Sequence, residues 1–183
     1  MGVRSHRRAL TGHKEFEFLD VFERAAQEFL GHYSEVEGSW SLARKGRHTE
    51  LNITSSSASG FDVGAVCETY GLYPSAGQWR GAPWEPVGDS IEGLCDAYFG
   101  FVRALLSPDA RLQLTFRREH LQAAIVELRT SDGWRLFERK NRVVLPFGTQ
   151  HVVLLQNNQL PSRFPFAGLQ LSDWGVYPWE RGA

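Results

Sequence analysis

The chain has 183 residues, of which 42% are hydrophobic and 22% charged, and carries a formal net charge of −1 at pH 7. A chain of this length removes about 70% of its unfolded surface from water, enough for one domain with a substantial core. The near-zero charge argues against a broad electrostatic grip on nucleic acid or on an anionic membrane, and no run approaches the length needed to cross a bilayer.

Residues 1–12, opening "MGVRSHRR", read as a flexible basic tail, and residues 13–183 as a single domain. No secretory signal is expected, because "GHKEFEFLDVFERAAQEF" is amphipathic and acidic rather than smoothly apolar. Instead Phe16, Leu19, Phe22, Ala26, Phe29 and Tyr33 recur at three- and four-residue steps, which predicts a helix from about Glu15 to Tyr33.

Two short strand-like runs, "VEGSWSLARKG" and "RHTELNITSS", follow with Gly46 between them, the pattern of a hairpin. The serine-rich "SSSASG" reads as a loop. In "FDVGAVCETY", Phe61, Val63, Ala65 and Cys67 alternate with polar or small residues, the period of a strand with one buried face.

Residues 70–88, "YGLYPSAGQWRGAPWEPVG", are rich in Gly and Pro and show no period. They read as a long ordered aromatic loop over the core, because such loops are uncommon in compact domains unless functional. Asp89 as N-cap and Glu92 three residues on then announce a second helix, with Ile91, Leu94, Cys95, Tyr98, Phe99, Val102, Leu105 and Leu106 on its apolar face. "RLQLTF", "LQAAIVELRT", "WRLFERK", "RVVLPF" and "HVVLLQ" continue as strands, with one more short strand at "GLQLS". Hairpins in succession imply an antiparallel meander. The expected fold is α+β: two amphipathic helices on antiparallel sheet or sheets of about seven to eight strands, in the order α-βββ-loop-α-βββββ.

Catalytic and metal signatures are weak. "HTE" at 48–50 is half of a zinc-deaminase signature whose second half, Pro-Cys-x-x-Cys, does not occur. The six histidines show no paired ligand spacing, so no metal and no cofactor are expected. Cys67 and Cys95 both fall on apolar faces and read as buried, inert thiols in a reducing cytoplasm. Glu50 and Glu68, in a cleft lined by Trp40, Trp79 and Trp84, would form a carboxylate pair beneath aromatic platforms, as sugar chemistry requires. Their alternative is to face water and pair with Arg44, Lys45 and Arg47.

One motif stands out. "WRGAPWE" at 79–85 and "WGVYPWE" at 174–180 both fit Trp-x-x-x-Pro-Trp-Glu and use four of the six tryptophans. Duplication is a poor explanation, since "YGLYP" at 70–74 competes for the same alignment. Trp79 and Trp174 read as core plugs, whereas Trp84 and Trp179, each between Pro and Glu, read as partly exposed. Trp and Tyr supply most binding hot spots, so Tyr73, Trp79, Trp84, Glu85, Trp179 and Glu180 form the expected partner-binding set. The function expected is a non-enzymatic protein-binding protein, of the immunity or inhibitor type that neutralises a cognate bacterial toxin. The alternatives are a small hydrolase-like enzyme or ligand-binding protein using the Glu50 and Glu68 cleft, and a subunit of a larger assembly.

Overall fold

A computed structural model describes residues 12–36, 39–69, 71–85, 90–142 and 148–162. The fold is α+β, with two helices and two antiparallel sheets. Helix α1 runs Gly12–His32 and buries Phe18, Leu19, Val21, Phe22, Ala26 and Leu30. A 3-10 turn at Ser34–Val36 leads into β1 (Trp40–Lys45), β2 (His48–Ile53), β3 (Val63–Glu68), β4 (Gly71–Ala76) and β5 (Trp79–Arg80). These five pair in chain order, each antiparallel to the next. Gly46, at φ +65°, makes the β1–β2 turn the sequence pattern requires.

Two expectations are corrected here. Within the expected 70–88 loop, residues 71–85 do not simply lie over the core: β4 and β5 occupy 71–76 and 79–80, and Trp84 bridges back to Leu72. Gly and Pro hid this, because Pro74 sits inside β4 with no N–H to give to a ladder. Its carbonyl nevertheless accepts from Gly81 N at 2.9 Å, and Gly77 turns the chain at φ +51°. Secondly, helix α2 spans Ile91–Leu106 and is capped by Ser90, not Asp89. The Ser90 Oγ accepts from Gly93 N at 3.0 Å.

The second sheet holds β6 (Ala110–Arg117), β7 (His120–Thr130), β8 (Gly133–Asn141) and β9 (Gln150–Leu155) in the order β8-β7-β6-β9. It is therefore not a simple meander: β9 returns to pair with β6. The "RVVLPF" and "GLQLS" strands fall almost wholly outside the described residues, as do residues 1–11 of the basic tail.

Helix α2 is buried on most of its surface and packs against α1, β3 and β6, so it forms the centre of the molecule. Segment 79–84 joins the two sheets. Trp79 meets Phe101 of α2 and Phe137 of β8 edge-on, with ring centroids at 6.2 and 6.5 Å. Trp84 packs on Tyr98 and Phe101, each at 5.5 Å, and Phe101 stacks on Phe137 at 4.4 Å. Aromatic pairs at these separations add about 0.5–1.5 kcal/mol each beyond area burial. The Ala82 N–H also donates to both carboxylate oxygens of Glu138 in β8, at 3.2 Å each.

Candidate functional site

A strand exposes alternate side chains on opposite faces, and this sorts every candidate residue. In the five-stranded sheet Leu51, Ile53, Val63, Ala65, Cys67, Leu72, Trp79 and Trp84 point to the core. Their neighbours point outward. The register places Lys45, His48, Glu68 and Gly71 side by side in one row, and Ala43, Glu50, Val66 and Tyr73 in the next. The Leu72–Trp84 bridge then sets Glu85 beside Gly71, where a methyl on Gly71 would lie 3.8 Å from Glu85 Cγ. Tyr73, Glu50, Glu68 and Glu85 thus share one outer face, which no described element covers.

Charge on this face is unevenly committed. Lys45 Nζ donates to Glu50 at 2.5 Å, and His48 Nε2 lies 3.1 Å from the other Glu50 oxygen. The Lys45 ammonium holds the Glu50 carboxyl below its usual range, partly opposed by desolvation. A general acid working near neutral pH needs the opposite shift. Glu68 and Glu85, both exposed, make no ion pair among the described residues. Tyr73, paired with Val66 in the neighbouring strand, is half-buried.

The expected carboxylate cleft is not formed. Glu50 and Glu68 lie on the outer face while Trp79 (0% exposed) and Trp84 (9%) lie on the core face, so the sheet separates them. Trp79 is a core plug as expected, but the partial exposure expected of Trp84 is overturned: the bridge to Leu72 turns its ring inward. Neither ring offers a surface to a partner. Trp174, Trp179 and Glu180 lie outside the described residues, and so does any neighbourhood of Trp84 with Trp179.

The thiols face inward. Burial pushes the Cys95 thiol up to about 12 and the Cys67 thiol higher still. Activated cysteines have lowered values. His48 cannot reach Cys67, since it stands on the opposite face of the sheet, and His151 stacks on Phe116 in the second sheet at 5.3 Å. No group of three or more His, Cys, Asp or Glu among the described residues could hold a metal ion, and no described helix is long and apolar enough to cross a membrane.

Trp40 differs from the buried Trp79 and Trp84. It is 38% exposed at the open end of the β1–β2 hairpin, beside an open groove of about 480 Å³ that also involves Asn52 and Thr54. Beyond the serine-rich loop after β2, no sequence pattern marks this groove. Compared with family models, curated proteins and solved structures, the chain matches none.

Proposed function

We propose that this chain is a non-enzymatic protein-binding protein of the immunity or inhibitor type, acting in the cytoplasm on a cognate toxin, and that it binds through the outer face of the five-stranded sheet. One observation carries the reading: Tyr73, Glu50, Glu68 and Glu85 stand together on a solvent-facing sheet backed by a fully packed core. A rigid face loses little entropy on binding, an aromatic ring among carboxylates suits a basic partner surface, and complementary charge speeds encounter and excludes wrong partners.

The test is co-expression with a toxin encoded beside the gene, scoring growth rescue and direct binding. Tyr73→Ala and the double variant Glu68→Lys/Glu85→Lys should lose rescue and weaken binding while melting at the wild-type temperature. Full rescue and unchanged binding by both folded variants would overturn the assignment of this face.

The role of subunit in a larger assembly is favoured by a different observation. Leu136, Val152 and Leu154, exposed by 42%, 50% and 55%, all lie on the outer face of the four-stranded sheet. Val152 and Leu154 share the outer face of edge strand β9, whereas Leu136 sits on the opposite edge strand β8, so the β9 pair is the apolar surface available for association. Light scattering on the purified chain separates the readings: a strict monomer excludes self-assembly.

A further inference from the structure

Among the described residues the two sheets have four edge strands, and three of them are blunted. Strand β1 ends in Arg44 and Lys45, β5 is two residues long and carries Arg80, and β8 carries four charged residues. Charges and short strands are the devices by which sheets avoid pairing with other chains, since an edge otherwise presents a row of unpaired N–H and C=O groups. Strand β9 uses neither. Its six residues, Gln150–Leu155, read "QHVVLL", with no Lys, Arg, Asp, Glu or Pro. Among the described residues it pairs only on its β6 side.

Burial along β9 has the pattern of a strand that lacks a neighbour. Val152 and Leu154 on the outer face are 50% and 55% exposed. Val153 and Leu155 pack against the core from the inner face, yet they are only half-buried. Their partners one strand further in, Leu114 and Leu112, are buried. A further strand beside β9 would cover both faces at once.

We infer that β9 pairs with β9 of a second copy of this chain, antiparallel about a twofold axis, so that two four-stranded sheets become one continuous sheet. The strand itself selects this occupant. It offers no charge to draw a charged peptide, and it is complementary to itself. A pairing must keep every side chain on its own face, because a slip of one residue reverses them all. Of the registers that do so, the one with Val153 on the axis sets Val152 opposite Leu154 of the second copy, and Leu154 opposite its Val152. Four exposed apolar side chains then form one patch. Centring on Val152 or on Leu154 instead sets Gln150 or Gln156 opposite an apolar residue. An isologous contact of this kind closes at two copies. One strand edge is a small contact, in the class below about 1,200 Å² that holds transient partners, so the dimer is reversible. The inference rests on the association reading and gives it a geometry; it uses none of the residues of the proposed toxin-binding face.

The experiment is sedimentation equilibrium of the full chain at concentrations up to about 1 mM, with two variants. A monomer–dimer equilibrium is expected. Val152→Lys/Leu154→Lys, at two exposed positions, should weaken it at least about tenfold, the equivalent of about 1.4 kcal/mol, with circular dichroism unchanged. Val153→Cys, treated with copper–phenanthroline as oxidant, should be trapped as a covalent dimer. Directly opposed residues of antiparallel strands have Cα atoms about 4.5–5.5 Å apart, within the reach of a disulfide. Leu136→Cys, exposed on β8, should not be trapped. A strict monomer at every concentration would overturn both the association reading and this pairing. A dimer undiminished by the two lysines, or one that Val153→Cys fails to trap, would overturn the edge pairing and leave association by another surface standing.

Discussion

Leu72 and Trp84 exchange both of their backbone hydrogen bonds, at 2.9 and 2.8 Å. This bridge decides which way each neighbour faces. It turns the Trp84 ring onto Tyr98 and Phe101 and leaves Glu85 on the outside beside Gly71. Adjacent residues of one motif therefore have unrelated roles, one in the core and one on the surface.

That division predicts a clean split between two variants. Trp84→Ala removes a buried ring and should cost about 3–5 kcal/mol of stability. Glu85→Lys, at an exposed site without a partner among the described residues, should move stability by no more than about 0.5 kcal/mol. Urea unfolding of both variants checks this. Comparable losses in the two would mean that Trp84 is not a core residue.

Gly81 is a second pressure point in the same segment. A methyl added there would lie 2.6 Å from both Pro74 Cγ and Trp79 Cη2. Trp79 is wholly buried against Phe101 and Phe137 and has no room to swing aside. Gly81→Ala should therefore destabilise by about 1–3 kcal/mol, the usual cost of overpacking. It should also perturb near-ultraviolet circular dichroism, where buried tryptophans dominate. A gain in stability, as expected for a glycine held only by its flexibility, would contradict the packing described.

Much of this was legible in the sequence because burial imposes a period. The alternation of Phe61, Val63, Ala65 and Cys67 marks β3, and the same alternation explains why Glu68 faces out. The three- and four-residue steps from Cys95 to Leu106 mark α2. What stayed hidden depends on contacts distant in the chain. Pro74 and the glycines at 71, 77 and 81 look like loop residues, yet tertiary pairing holds them in a hairpin. The return of β9 to β6 leaves no local trace, because an antiparallel neighbour is the same to a strand whichever strand supplies it. Glu50, Glu68, Tyr73 and Glu85 could be picked out one by one as polar or aromatic residues. Only the register shows that they share a face, and the Ala76–Trp79 pairing and the bridge at Leu72 turn Trp79 and Trp84 to the other side.

Alkaline pH should unfold the chain in a way that reports on its buried protons. Burial raises the Cys67 and Cys95 thiols and the Tyr98 phenol above their ordinary values, Cys95 from 9.0 to about 12. In the unfolded chain the thiols ionise near pH 9, while the folded chain retains their protons. The folded state then binds more protons, so its stability is intact below about pH 8.5 and falls as pH rises toward 12. Each thiol contributes a slope of at most about 1.4 kcal/mol per pH unit. The double variant Cys67→Ala/Cys95→Ala should show a shallower decline of urea midpoint between pH 9 and 11 than the parent. Equal slopes would show that the thiols are not the groups held protonated.

Asn157 is the latch between β9, helix α2 and the start of β3, and its side chain uses both ends of the amide. Its Oδ1 accepts from Phe61 N at 3.0 Å, and its Nδ2 donates to Phe61 O and to Leu105 O, each at 2.9 Å. The residue is wholly buried, so water cannot replace these bonds. Asn157→Ala strands the Phe61 N–H and the Phe61 and Leu105 carbonyls, and also frees the part-buried Ser55 hydroxyl that donates to Oδ1 at 2.9 Å, and at roughly 1–3 kcal/mol for each unsatisfied group should cost about 3 kcal/mol or more. Asn157→Asp keeps the shape but sets a carboxylate oxygen against two carbonyls. Burial and those carbonyls would raise its folded pKa above the unfolded value of about 3.9. The added penalty is therefore absent below about pH 4 and grows as pH rises toward neutrality. Urea midpoints at pH 4 and pH 7 should show Asn157→Asp recovering part of its loss at the lower pH relative to Asn157→Ala. A parallel response of the two variants would mean that the Nδ2 donors do not face the Phe61 and Leu105 carbonyls.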